Sequence, residues 1–202
     1  MASVGIHRLI EQRAAEFPES AALVEGDRTL TYRELNRRAN LVARRLMNQG
    51  FRRCGQAVVN GERSLELAVV LLGVLKAGGA YSWLDHDDDG SWPPGLSFLK
   101  DDSGAEQKWV AVDVMGAMKE PAPMCPNLPI ITRSGDVACV LRGVHGAPAV
   151  LVPHEAVTAL LDRPVPSIST WTGDPGALDL WLTLMAGATA VVVIRPAVVA
   201  AA

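Results

Sequence analysis

Ser64-Leu-Glu-Leu-Ala-Val-Val-Leu-Leu-Gly-Val-Leu-Lys76-Ala77-Gly78-Gly79-Ala80-Tyr81-Ser82-Trp83-Leu84 is the stretch on which the fold turns. Ser64 offers a side-chain oxygen to the first free N–H groups of a helix. Leu65, Ala68, Val69, Leu71, Leu72 and Leu75 then cover nearly its whole circumference, so this helix should be buried on most sides. Gly78-Gly79 ends it, and Ala80 to Leu84 reads as a strand. Just upstream, Ala57-Val58-Val59 reads as another. A strand, a buried helix and a strand make a parallel crossover unit, the grammar of an α/β domain.

Working outward, Ile6, Leu9, Ile10 and Ala14 fall on one helical face that Phe17-Pro18 terminates. Leu30-Thr31-Tyr32 reads as a short strand. Glu34 to Gln49 reads as an amphipathic helix with Leu35, Ala39, Val42 and Leu46 inward and Gly50 as its stop. On the other side, Leu96 to Lys100 is expected to be a short helix and Trp109 to Val112 a strand. Residues 115–135 hold four prolines and read as a surface loop. Ala138 to Leu141 and Val150 to Val152 are expected strands, Glu155 to Leu161 and Leu178 to Ala186 helices, and Ala190 to Ile194 a strand. This divides the chain into a first α/β part (1–114), the Pro-rich loop (115–135), a second part (136–195) and a tail (196–202).

Composition narrows the function. With 202 residues, 49% of them hydrophobic, and a net charge of −3, the chain is too apolar for disorder. Arg37, Arg38, Arg44 and Arg45 stand beside Glu34, which leaves no nucleic-acid surface. The longest apolar run, Leu67 to Leu75, is about half what a membrane span needs, and no secretory signal precedes the first helix. Cys54, Cys125 and Cys139 are odd in number and far apart, as expected of reduced thiols in a cytoplasmic protein.

Leu30-Thr31-Tyr32-Arg33-Glu34-Leu35 resembles the first core motif of nonribosomal peptide synthetase adenylation domains. Leu75-Lys76-Ala77-Gly78-Gly79-Ala80-Tyr81, running to Leu84-Asp85, resembles the second. Glu62-Arg63-Ser64-Leu65-Glu66 and Asp102-Ser103-Gly104 have the same flavour, and the likeness extends from about residue 5 to residue 195. It implies part of the N-terminal domain of an adenylate-forming enzyme, a layered, mostly parallel sheet flanked by helices. It also implies ATP and Mg²⁺ as the family's cofactors.

The third motif of that family is a Ser/Thr/Gly-rich loop followed by Lys-Gly, a strand and a His. Here Asp136-Val137-Ala138 opens the frame and Val150-Leu151-Val152-Pro153-His154 closes it. Between them, Arg142, Gly143, Val144, His145, Gly146, Ala147, Pro148 and Ala149 form a loop about three residues short of the family's, without hydroxyls. Ala149 stands where the resemblance places lysine. Such loops hold phosphates with backbone N–H groups, hydroxyls and a cation. A hydrogen bond to a charged group contributes roughly 1.5–3 kcal/mol, so losing two hydroxyls and the lysine should weaken triphosphate binding on the order of a thousandfold. Arg142 and His145 are the only replacement cations in the loop, and His145 is mostly neutral at neutral pH.

The fourth motif would supply an aspartate for the substrate's amino group before the Trp181 helix. Asp174 takes that role only with a one-residue gap, Gly173 standing in the ungapped position, and an Asp-Pro turn is the rival reading. The motifs that would bring the ribose-binding aspartate, the hinge and the final lysine are not in this sequence. Other constellations carry less. Asp85 to Gly90 matches the first half of a calcium loop but has Leu96 where a glutamate belongs. Ser167, Ser169, His154 and Asp162 lack a nucleophile elbow.

The expectation is a catalytically inactive pseudo-adenylation domain, without catalytic residues, metal or cofactor. It would be a structural or docking element in a nonribosomal peptide or hybrid polyketide synthetase. Core positions stay apolar while the one loop that needs charge has degraded, and decay of a useless segment would damage both. A sheet ending after Ile194 should leave an edge strand or apolar face, covered by an adjoining synthetase domain, a second protein chain or a homodimer partner. The alternatives are half of an amino-acid-adenylating ligase completed by a second polypeptide, using ATP and Mg²⁺, and a small-molecule binder keeping part of a pocket.

Overall fold

The computed structural model describes residues 5–84, 109–113, 124–129, 131–141, 149–171 and 177–193. Chain order is α1 (Ile6–Glu16), β1 (Ala21–Glu25), β2 (Arg28–Thr31), α2 (Tyr32–Asn48), β3 (Gln56–Asn60), α3 (Leu65–Lys76), β4 (Ala80–Leu84) and β5 (Trp109–Asp113). It continues with β6 (Val137–Leu141), β7 (Val150–Pro153), α4 (His154–Thr158), a 3-10 turn (Ala159–Asp162), β8 (Ile168–Trp171), α5 (Leu178–Met185) and β9 (Thr189–Val192). The strands form two sheets, ordered β2-β1-β9-β8 and β5-β3-β4-β6-β7. Among the described residues, only the β1–β2 and β6–β7 pairings are antiparallel. The rest are parallel, as expected of an α/β chain. The first sheet joins strands from both ends of the sequence, and the second is built from the strands between them.

Local chemistry explains the helix starts. Ser64 Oγ accepts the Leu67 N–H at 3.1 Å, the expected cap of α3. Thr31 and Glu34 form a capping box, Thr31 Oγ1 taking the Glu34 N–H at 3.2 Å and Glu34 Oε2 the Thr31 N–H at 3.3 Å. The box starts α2 at Tyr32, two residues before the expected helix, so Tyr32 leaves the strand. Its ring is fully buried, and its hydroxyl reaches the carbonyls of Leu184 and Ala188 at 2.9 and 2.8 Å, tying α2 to the end of α5. The helix expected from Glu155 shortens to α4 and continues as the 3-10 turn, with Pro164 close behind. β1 and β8 are strands the pattern did not disclose. The expected Leu96–Lys100 helix and residues 196–202 lie outside the described residues.

α3 packs on β3 and β4 of one sheet and β1 of the other, so its all-round apolar surface separates the sheets. Every one of its residues except Glu66 is buried, Lys76 included. The Lys76 ammonium pairs with Glu11 of α1, and Arg8 pairs with the same carboxylate from the rim. Burial pulls Lys76 down to about 8, although Glu11 acts in the opposite direction.

Beyond α3 the backbone turns tightly. Gly78 has φ +81°, and a Cβ on Gly79 would sit 2.3 Å from the Phe51 ring and 2.7 Å from the Gly55 carbonyl. Gly79→Ala is therefore expected to cost about 1–3 kcal/mol by overpacking, read as a lower urea midpoint. An unchanged midpoint would mean that Phe51, 4% exposed, has room to yield.

Candidate functional site

The frame of the expected phosphate loop is present. β6 and β7 pair antiparallel, with Leu141 opposite Val150 and Val140 opposite Leu151. β6 runs parallel to β4 through Tyr81 and Cys139, so its carboxyl end emerges with those of β3, β4 and β5. Carboxyl ends of parallel strands are where open α/β sheets take ligands. The other end of the frame is fastened. Asp136 receives Arg53 through Nε and Nη2 at 2.9 and 2.6 Å and the Arg133 N–H at 2.8 Å. Burial alone would raise the Asp136 carboxyl, but Arg53 and the Arg133 N–H outweigh it and hold it below its ordinary value. The His154 N–H then donates to the Asp136 carbonyl and the Glu155 N–H to that of Ser134, both at 3.0 Å.

Of the residues expected to line the vestigial loop, Ala149 is described: it is half-buried and stands directly before β7. Arg142, Gly143, His145, Gly146 and Pro148 lie outside the described residues, as does Asp174. Their flanking strands converge all the same. Trp171, the last residue of β8 and two positions before Gly173, meets Trp83 near the carboxyl end of β4, ring centroids 5.6 Å apart. Arg63 lies over the Trp83 ring at 5.5 Å, and the Trp83 indole N–H donates to the Gly61 carbonyl at 2.8 Å. The segments holding the loop and Asp174 thus leave from strand ends of two different sheets on one side of the molecule. Sequence reasoning missed this Arg63–Trp83–Trp171 cluster because its members are far apart in the chain. The high tryptophan count was the one signal available.

The rival constellations fare as follows. His154 is fully buried and its Nδ1 accepts the Ile6 N–H at 3.3 Å; among the described residues no hydroxyl is bonded to it. Asp162 ends the exposed 3-10 turn and Ser169 lies within β8, so the structure does not assemble them. The half calcium loop at Asp85 to Gly90 lies outside the described residues. Among those described, no group of three or more His, Cys, Asp or Glu side chains is placed to hold a metal, and Cys54, Cys125 and Cys139 are not in disulfides. No described helix is long and apolar enough to cross a membrane.

By sequence, the loop at residues 142–149 offers few groups for a phosphate. Arg142 is its one permanent cation, Pro148 has no N–H, no residue from Arg142 to Ala149 carries a hydroxyl, and Ala149 ends it with a methyl group. Apolar side chains are exposed at both edges this region reaches: Val150 (55%) and Leu151 (45%) on β7, and Ile168 (64%) on β8.

Residues 10–107 match the family model described as AMP-binding enzyme. Bacitracin synthase 1 of Bacillus licheniformis is 28% identical over 217 residues, covering 95% of this chain and 4% of that protein. Bacitracin synthase 3 of the same organism is 44% identical over 101 residues, half of this chain and 2% of that protein. The chain therefore spans a small fraction of the curated relatives it matches. Among solved structures, the N-terminal subdomain of Klebsiella oxytoca NpsA in complex with anthranilyl-AMSN superposes with a TM-score of 0.76 at 21% identity. The match covers 97% of this chain and 56% of that one. Two core motifs, a two-sheet α/β architecture and these likenesses agree, and together they support an N-terminal fragment of a nonribosomal peptide synthetase adenylation domain.

Proposed function

We propose that this chain is a pseudo-adenylation element that folds and docks within a nonribosomal peptide or hybrid polyketide synthetase without activating an amino acid. The observation that carries the reading is Ala149. The frame around it is intact, with β6 and β7 paired and Asp136 clamped by Arg53, yet the position that should present a cation presents a methyl group. An adenylating enzyme must bind triphosphate before any bond forms, so a loop without the lysine and without hydroxyls fails at the first step. The exposed apolar side chains of β7 and β8 suit burial against an adjoining synthetase domain.

Isothermal titration with ATP–Mg²⁺, run at concentrations that register millimolar affinity, is expected to give no heat beyond dilution. Saturable micromolar binding, or amino-acid-dependent pyrophosphate exchange on adding a polypeptide with the later motifs, would put the split-ligase reading in its place.

A further inference from the structure

The side chains of His7 on α1 and of His154, which opens α4, take no part in the site described above. His7 is 4% exposed and His154 not at all. Their rings meet edge to face, centroids 5.7 Å apart and planes at 70°. The N-cap residue of α1, Gly5, has no side chain to satisfy the free N–H groups of the helix start. His154 supplies that cap from another element, its Nδ1 accepting the Ile6 N–H at 3.3 Å. An imidazole can accept there only while it is neutral, with its proton on Nε2. That Nε2 and the Nδ1 of His7 are both buried without a partner among the described residues.

We propose that His7 and His154 form a proton-sensitive latch that holds α1 against α4. A proton on His154 Nδ1 turns the cap into a donor aimed at the positive end of a helix, so the two repel. A proton on His7 adds charge beside cations. The charges acting on His7 are those of His154, Lys76 of α3 and Arg8, all opposing protonation, and on His154 the carboxylate of Asp136, favouring it. Glu11, on the same helix, is engaged by Lys76 and Arg8. Charges on α2, such as Arg44, and Asp179 on α5, the other elements packed on α1, do not figure among those acting on either ring.

Burial leads both shifts. His7 falls well below the ordinary histidine value and His154 falls to about 4. Folded values below unfolded ones mean that the unfolded chain takes up protons first. The stabilisation is therefore complete above about 6.5 and is lost as pH falls towards about 4. Release would not stop at α1. α4 follows β7 directly, so the latch also secures the far end of the loop frame.

Hydrogen exchange of the full chain, corrected for the intrinsic pH dependence, tests this. Between about pH 7.5 and about pH 5, protection of α1 relative to α3 should fall by at least roughly thirtyfold, the loss expected from His154 alone when displaced from 6.5 to about 4, with His7 adding to it. His154→Asn, which keeps an acceptor without a titrating ring, should lose the His154 share of that pH dependence and keep only what His7 contributes. Equal loss in α1 and α3, or an α1 indifferent to pH, would overturn the latch. If the variant fails to fold, imidazole resonances of the unaltered chain decide. They should stay neutral until α1 resonances shift, and protonation near the ordinary histidine value with α1 intact would sink the idea.

Discussion

Glu11→Ala is expected to destabilise the chain by roughly 3–5 kcal/mol, because it strands a buried cation. The Lys76 side chain is 1% exposed and that of Glu11 4%, so neither water nor salt can replace the lost partner. Arg8 does not soften the effect: its pairing with Glu11 disappears in the same substitution. The double replacement Glu11→Leu with Lys76→Met should return the urea midpoint to within about 1 kcal/mol of the starting chain, or above it, because a buried pair exchanged for apolar groups of similar size is often neutral or stabilising. A single variant that shifts the midpoint by less than about 1 kcal/mol would show that water reaches Lys76.

That pair also marks where reading the sequence stops. The end of α3 was legible, since Lys76 closes an apolar run and Gly78-Gly79 follow it, but periodicity alone makes Lys76 a solvated helix terminus. Its burial depends on a carboxylate in the first helix, a long-range contact no local pattern encodes. The short strands fail for another reason. Ile168-Ser169-Thr170-Trp171 alternates with small polar residues and exposes Ile168, so it lacks the apolar signal that made β3 and β4 readable. The capping box was there to be read as Thr31-x-x-Glu34, and using it would have placed the start of α2 correctly. Of the candidate site, the frame strands and the position of Ala149 before β7 were legible from the motif, since local pattern sets both. The Asp136–Arg53 clamp and the meeting of Trp83 with Trp171 required the fold.

The second large effect concerns function. Residues 142–149 replaced by a longer Ser/Thr/Gly-rich loop that places lysine where Ala149 stands should raise ATP–Mg²⁺ affinity on the order of a thousandfold over the native chain. The expectation rests on the frame. β6 and β7 are paired up to Leu141 and Val150, so a grafted loop starts from fixed ends at the carboxyl edge of a parallel sheet. Ala149→Lys alone should gain only about tenfold, because one flexible ammonium without neighbouring hydroxyls or N–H groups makes a single charge-assisted contact. Titration calorimetry on the three chains separates the causes. If the graft folds, by an unchanged urea midpoint, and still binds nothing, the defect lies in the frame, and the Ala149 argument is wrong. If the single lysine recovers most of the gain, charge was the only loss and the missing hydroxyls are incidental. If the native chain already binds at micromolar concentration, the loop never lost its ligand, and the docking role falls with it.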